Sequence, residues 1–269
     1  MALLHVDFFS HVLKMEMQMD VVLPEATRGL IGMAGQSGGG AWKTLYLLHG
    51  MSDDHSIWQR RTSIERYAAE KGVAVVMPTT HLGWYTDMYR GFKYFTFVAD
   101  ELPKICRQMF PNMSSRREDT FAAGLSMGGY GALKCGLRAP EVFSKVASLS
   151  GGVDAVRLME NLAGDNPFWV DVFGPAEGVK GSFNDLFAAA EELKDSPIRP
   201  QVYMWCGTED FLYESNVRMH EHLDALGYDL TYEESPGDHQ WKYWDEKIQT
   251  VLDWMIPDEE PAEAEEKEE

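Results

Sequence analysis

A serine, a histidine and a carboxylate can together perform nucleophilic acyl transfer, and one serine of this chain sits where that chemistry needs it. Ser126 occupies the centre of Gly124-Leu125-Ser126-Met127-Gly128, directly after the apolar run Thr120-Phe121-Ala122-Ala123 and directly before the helix-like stretch Gly129 to Cys135. In such a G-x-S-x-G elbow the chain leaves a buried strand, turns sharply and enters a helix, so the serine hydroxyl is exposed at a strained position. The helix N-terminus then sets partial positive charge beside an oxygen that must become anionic. A second match, Gly35-Gln36-Ser37-Gly38-Gly39, has no apolar strand leading into it and no helix pattern leaving it. It reads as part of a flexible Gly-rich connection spanning 32–40.

A serine hydroxyl is a poor nucleophile until a base takes its proton, and the base needs an acid to orient it. In chains built around such an elbow both partners follow the serine, acid before histidine. Only His220, His222 and His239 follow Ser126. The first two fall two residues apart in the helical pattern Val217 to Leu223 and point to different faces, which disfavours a shared metal. His239 ends the loop Ser235-Pro236-Gly237-Asp238-His239, just before the final helix, and is the expected base. Asp210, closing the turn after the penultimate strand, is the expected acid, with Glu209 and Asp238 as rivals; Asp238 adjoins His239 and reads better as a loop cap. The developing oxyanion needs backbone N–H donors. Met127, next after the nucleophile, supplies one, and Met51 in His49-Gly50-Met51 supplies the other, with His49 structural beneath them.

These residues require a scaffold. Leu45–Leu48, Val73–Met77, Phe121–Leu125, Val146–Leu149 and Val202–Trp205 are short apolar runs separated by helical segments near Ile57–Glu70, Phe97–Met109, Gly129–Arg138 and Asn216–Leu226. That alternation predicts an α/β fold with a mostly parallel, doubly wound sheet. Val6–Leu13 and Met15–Leu23 alternate in part and predict antiparallel strands at the N-terminal edge. A strand near Leu230–Glu233 and a helix over Trp241–Met255 close a domain spanning 1–256. Residues 154–196 interrupt the alternation with aromatics of no clear period, either as a cap over the strand C-terminal ends or as a packed connection.

Composition limits the function classes. With 269 residues, of which 45% are hydrophobic, the chain can bury one large core. No stretch approaches the roughly 18 apolar residues of a bilayer span, and no basic leader precedes an apolar run, so the expectation is a cytoplasmic protein. The net charge of −19 argues against nucleic acid and anionic membrane as partners, and residues 257–269, with eight acids and one Lys, predict a disordered acidic tail. Cys106, Cys135 and Cys206 form no CxxC pair and read as buried thiols, without a metal or disulfide role.

With its motifs assembled, the chain resembles the esterase D branch of the α/β-hydrolases and, within it, the tributyrin esterase group. The resemblance is carried by Met19-Asp20-Val21-Val22-Leu23-Pro24, Leu47-Leu48-His49-Gly50, Tyr85-Thr86-Asp87-Met88, the elbow through Ala132, Gly207-Thr208-Glu209-Asp210-Phe211-Leu212-Tyr213, and Gly237-Asp238-His239-Gln240-Trp241-Lys242-Tyr243-Trp244. It implies an α/β-hydrolase fold and a cofactor-free, metal-free serine carboxylesterase for short acyl esters of small molecules, with Ser126, Asp210 and His239 as its triad; related esterases are often homo-oligomers. Trp58, Trp84, Tyr85 and Trp241 lie near the motif loops and are expected either to line a substrate pocket or to belong to the core. Alternative activities are hydrolysis of acetyl or feruloyl esters derived from plants and of S-formylglutathione. The latter is opposed by His49-Gly50-Met51-Ser52-Asp53, where formylglutathione hydrolases usually carry Ser-Gly-Leu-Thr-Cys. A binding protein that keeps the elbow only as architecture is the non-enzymatic alternative.

Overall fold

The computed structural model describes residues 1–26, 31–32, 35–36, 40–162 and 166–257. Ser37 and the acidic segment 258–269 lie outside the described residues. Eight strands form one sheet: β1 (Ala2–Ser10), β2 (Met15–Leu23), β3 (Thr44–Leu48), β4 (Ala74–Pro78), β5 (Thr120–Leu125), β6 (Lys145–Leu149), β7 (Gln201–Gly207) and β8 (Leu230–Ser235). Their spatial order is β1-β2-β4-β3-β5-β6-β7-β8. The β1/β2 and β2/β4 pairs are antiparallel and every other pair is parallel.

The helices are α1 (Ile57–Arg61), α2 (Ile64–Lys71), α3 (Tyr94–Thr96), α4 (Leu102–Met109), α5 (Met127–Arg138), α6 (Ala155–Leu162), α7 (Pro167–Phe173), α8 (Leu186–Leu193), α9 (Tyr213–Ala225) and α10 (Trp241–Met255). Strand side chains alternate between faces, and both faces of the sheet are covered. Tyr46, Leu48, Ala122, Val146 and Met204 pack on the side of α4, α5 and α9. Leu45, Leu47, Phe121, Leu149 and Trp205 pack on the side of α1, α2 and α10. Two-sided burial explains why the central strands read as continuous apolar runs.

Two predicted boundaries shift for local reasons. The first strand ends at Ser10, three residues before the expected Leu13, because Ser10 closes the hairpin: its carbonyl accepts the Lys14 N–H at 2.9 Å and its Oγ accepts the Leu13 N–H at 3.0 Å. The helix expected over Ile57–Glu70 is two helices. Thr62 breaks it, donating its hydroxyl to the Trp58 carbonyl at 2.6 Å and accepting the Ile64 N–H at 3.1 Å, a side-chain competition that ends helices.

Segment 154–196 folds as α6, α7 and α8. Asn166 caps α7 through the Phe168 N–H, and Asp185 caps α8 through the N–H groups of Phe187 and Ala188. The segment is tied to the body where Tyr89 and Arg90 donate their N–H groups to Val172 and Asp171, and where Lys134 of α5 donates to Asn184 Oδ1 at 2.6 Å. Among the described residues no helix is long and apolar enough to cross a membrane.

Candidate active site

The elbow forms where β5 runs into α5. Ser126 has φ 53° and ψ −116°, a conformation that costs free energy for a residue with a Cβ. Neighbouring backbone holds it there: the Ser126 N–H donates to Leu149 O at 2.9 Å, and Ser126 O accepts from Gly152 at 3.0 Å and Tyr130 at 3.1 Å. The motif glycines are steric necessities. A Cβ on Gly124 would lie 2.4 Å from Gly128 O, and one on Gly128 would lie 2.3 Å from Leu48 O and 2.7 Å from His49 O. All three obstacles are backbone, so they cannot rotate away.

His239, on the loop between β8 and α10, reaches across to the elbow. Its Nε2 lies 3.0 Å from Ser126 Oγ and its Nδ1 lies 2.8 Å from Asp210 Oδ2. A carboxylate has no proton to give, so Nδ1–H donates to Asp210 and Nε2 is left to accept the serine proton. The ring is held edge-on against Trp244, centroids 4.8 Å apart, with Phe211 4.6 Å away on another side. Asp210 is buried, and its Oδ1 accepts the Leu212 N–H at 2.9 Å, which fixes the carboxylate plane.

The rival acids have other work. Glu209 is exposed at the surface and clamps the acid loop to the histidine loop: its carboxylate accepts the Gly237 N–H, and its own N–H donates to Gly237 O at 3.0 Å. That bond, followed by the one from Thr208, lowers the Glu209 pKa. Asp238 accepts from the Gln240 side-chain amide within its own loop. Of the three, only Asp210 hydrogen-bonds to His239.

Met127 is the first residue of α5, so its N–H has no intrahelical acceptor. Met51 sits in the turn after β3, closed by the Asp53 N–H to Gly50 O bond at 3.3 Å. Among the described residues neither Met N–H enters a backbone hydrogen bond. His49 lies beneath this turn, 1% exposed. Its Nε2 accepts the Thr80 N–H at 2.9 Å, so Nδ1 must carry the proton that goes to Gly50 O at 2.7 Å. Burial pushes its pKa down to about 4 and keeps the ring neutral.

A cavity of about 450 Å³ opens over Ser126 and His239. Trp84 and Trp241 line it, whereas Trp58 and Tyr85 do not. Both are fully buried. They stand behind the loop, with Trp58 Nε1–H donating to Leu48 O at 3.0 Å and Tyr85 O–H donating to His49 O at 2.9 Å. Their polar atoms fix two carbonyls at the end of β3 and are unavailable to a ligand. The lining also includes Trp169, Phe211, Trp244 and Asp53, with Leu158 and Leu162 of α6 as a wall. Sequence reasoning missed these, although Phe211 directly follows the acid and Trp244 lies one helical turn after Trp241. A larger cleft, about 590 Å³, runs along α1 and α2 past Gln59 and Arg66 and contains no residue of the Ser126 site.

Among the described residues no group of three or more His, Cys, Asp or Glu side chains is arranged to hold a metal ion. The three cysteines are free and buried, and burial pushes the thiols of Cys106 and Cys135 up to about 12. They are inert as nucleophiles.

The Esterase family, described as "Putative esterase", matches residues 10–255. This chain belongs to the Esterase family. It is similar to the acetyl esterase of Caldicellulosiruptor saccharolyticus, 32% identical over 263 residues that cover 95% of this chain and 98% of the relative. Among solved structures it is similar to FphF, the fluorophosphonate-binding serine hydrolase F of Staphylococcus aureus, at 33% identity and a TM-score of 0.85, covering 96% of this chain and 99% of that one. It is similar also to the S-formylglutathione hydrolase FrmB of Staphylococcus aureus, at 33% identity and a TM-score of 0.82, covering 95% and 98%. This Esterase member has the α/β-hydrolase fold and is a serine carboxylic ester hydrolase.

Proposed function

We propose that the chain hydrolyses short-chain acyl esters of small alcohols through an acyl-enzyme, in the manner of the tributyrin esterase group. The observation that carries this reading is the continuous hydrogen-bond chain from Ser126 Oγ through His239 to Asp210, opening into an aromatic-walled cavity. In the first half-reaction His239 Nε2 takes the Ser126 proton as Oγ attacks the ester carbonyl. The N–H groups of Met51 and Met127 hold the oxyanion, each on the order of 3 kcal/mol of transition-state stabilisation. Asp210 keeps the imidazole in the required tautomer and stabilises the imidazolium. Collapse of the tetrahedral intermediate expels the alcohol, protonated by His239, and water repeats the sequence on the acyl-enzyme.

Cavity size supports the short-chain preference. About 450 Å³ must hold both acyl and alcohol groups, with Trp84, Trp169 and the α6 leucines among its walls. Hydrolysis of formylglutathione is a second reading, because FrmB is similar over nearly the whole chain. Against it, no Lys or Arg among the described residues lines the cavity to meet the glutathione carboxylates.

The test is fluorophosphonate labelling together with an acyl series. Labelling of the native protein that disappears in Ser126→Ala, with kcat/KM for p-nitrophenyl butyrate above that for palmitate, is the expected result. Unchanged labelling in Ser126→Ala, or a higher value for palmitate, rejects the assignment. S-formylglutathione in the same series decides the second reading.

A further inference from the structure

Asp53 is two residues beyond Met51 and lines the same cavity as Ser126 and His239. Its backbone N–H donates to Gly50 O at 3.3 Å, and its carboxylate Oδ2 lies against Gly50, 3.1 Å from where a Cβ there would stand. Among the described residues it is, apart from His239, the only ionisable side chain in the lining. Trp84, Trp169, Trp241, Trp244 and Phe211 line the same cavity.

An aromatic enclosure containing one carboxylate and no cation has a definite electrostatic preference. Ring faces carry negative quadrupole potential and attract ammonium groups, most strongly where water is excluded. The carboxylate adds in the same direction, through a medium less polarisable than water. An anionic group entering the cavity would meet both as repulsion and would lose its hydration without compensation.

An annex adjoins this cavity. About 270 Å³ in volume, it shares Leu158, Leu162, Phe211 and Leu212 with the main cavity and is lined also by Asp154, Arg157 and Glu214. Asp154 is ion-paired with Arg218 and lies 3.9 Å from Arg157, so the annex has no excess of either sign and the charge preference is set in the main cavity. Burial raises the Asp53 pKa, while the Gly50 N–H and the more distant Arg61 and Arg60 lower it and Asp54 raises it. Asp54 and the two arginines are not part of the cavity lining.

We infer that Asp53 is a specificity-determining residue that selects esters by charge, making an ester with an ammonium-bearing alcohol the preferred substrate class and an ester with a carboxylate-bearing alcohol the disfavoured one. This rests on the esterase reading above. Asp53 would act on binding of the alcohol moiety, with the proton transfers left to His239.

Three acetate esters test it: acetylcholine, its neutral isostere 3,3-dimethylbutyl acetate, and 4-acetoxybutyrate. At low ionic strength the wild type should rank them cation over neutral over anion in kcat/KM, with acetylcholine at least about fivefold above the neutral isostere. Asp53→Asn keeps the size and shape of the side chain and removes the charge. It should shrink the cation-to-neutral ratio at least about threefold, with the change carried by KM, whereas Asp53→Glu should retain most of it. Added salt should compress the wild-type ranking more than that of Asp53→Asn. A wild-type ratio within about twofold of unity, or a ratio that Asp53→Asn leaves unchanged, overturns the charge selection while leaving the esterase intact. Failure of the wild type to hydrolyse either the neutral isostere or p-nitrophenyl acetate overturns the esterase reading itself.

Discussion

Replacing Asp210 by Asn changes one atom at the centre of the site, and the structure dictates how the amide must sit. Oδ1 of Asp210 accepts the Leu212 N–H at 2.9 Å and Oδ2 accepts Nδ1–H of His239 at 2.8 Å. Asparagine offers one acceptor and one donor to those two donors. If the amide oxygen stays with Leu212, the amide N–H₂ faces His239, which must shift its proton to Nε2 and present Ser126 with a donor. That tautomer cannot act as a base. If the amide flips, His239 keeps the active tautomer but the partly buried Leu212 N–H loses its acceptor, at a cost of about 1–3 kcal/mol. The active arrangement is then populated roughly one time in five to one in two hundred. The imidazolium formed during attack also loses its anionic partner, now neutral, worth about another 2–3 kcal/mol. Together these costs, about 3–6 kcal/mol, correspond to a loss in kcat of about 10²–10⁴, with little change in KM. The assay is p-nitrophenyl acetate turnover between pH 6 and 9, with Glu209→Gln measured alongside and thermal midpoints as a folding control. Less than about tenfold loss in a folded Asp210→Asn, or a Glu209→Gln that is the more damaged of the two, would refute the tautomer argument.

Other predictions follow from steric and buried groups. His49 has its folded pKa near 4, below the ordinary 6.5. The unfolded chain therefore binds a proton that the folded chain refuses, and this group removes up to about 3 kcal/mol of stability as pH falls from 6.5 to 4. Urea unfolding of His49→Gln should show a shallower decline across that window than the wild type, and parallel curves would contradict it. Lys134 is fully buried among Phe95, Tyr130 and Phe183, and burial takes its pKa down to about 7 from 10.5. Its penalty is fully present below pH 7 and relieved as pH rises toward 10.5, so the stability of the wild type relative to Lys134→Met should increase between pH 7 and 10 by an amount on the order of kcal/mol. A gap that is flat with pH would show that Lys134 stays charged. Gly128→Ala places a methyl 2.3 Å from Leu48 O. Since the obstacle is the backbone leading into the Met51 loop, kcat should fall at least about a hundredfold even where the variant folds, and an active variant with normal kcat would show that the loop can yield.

Much of the site was legible in the chain because its constraints are local. A serine at positive φ between a buried strand and a helix N-terminus needs glycines on both sides, and Gly124 and Gly128 state that requirement within five residues. The central strands were legible because burial on both faces leaves unbroken apolar runs such as Leu45–Leu48, and chain order narrowed eight histidines to three, of which helical periodicity set aside His220 and His222. What sequence could not decide was the direction of each side chain. Glu209, Asp210 and Asp238 are equivalent as carboxylates, and only the approach of the β8–α10 loop to the end of β7 brings Asp210 to the imidazole while turning Glu209 into a clamp. The aromatics divide in the same way. Trp58 and Tyr85 looked as suitable for the pocket as Trp84 and Trp241, yet they hold backbone carbonyls behind it, while Trp169 enters from α7, folded over from an insertion with no readable period. Local sterics and burial patterns are written along the chain, but which face of a loop or helix meets the site depends on packing between segments distant in sequence, and that is settled only when the sheet and its helices close on one another.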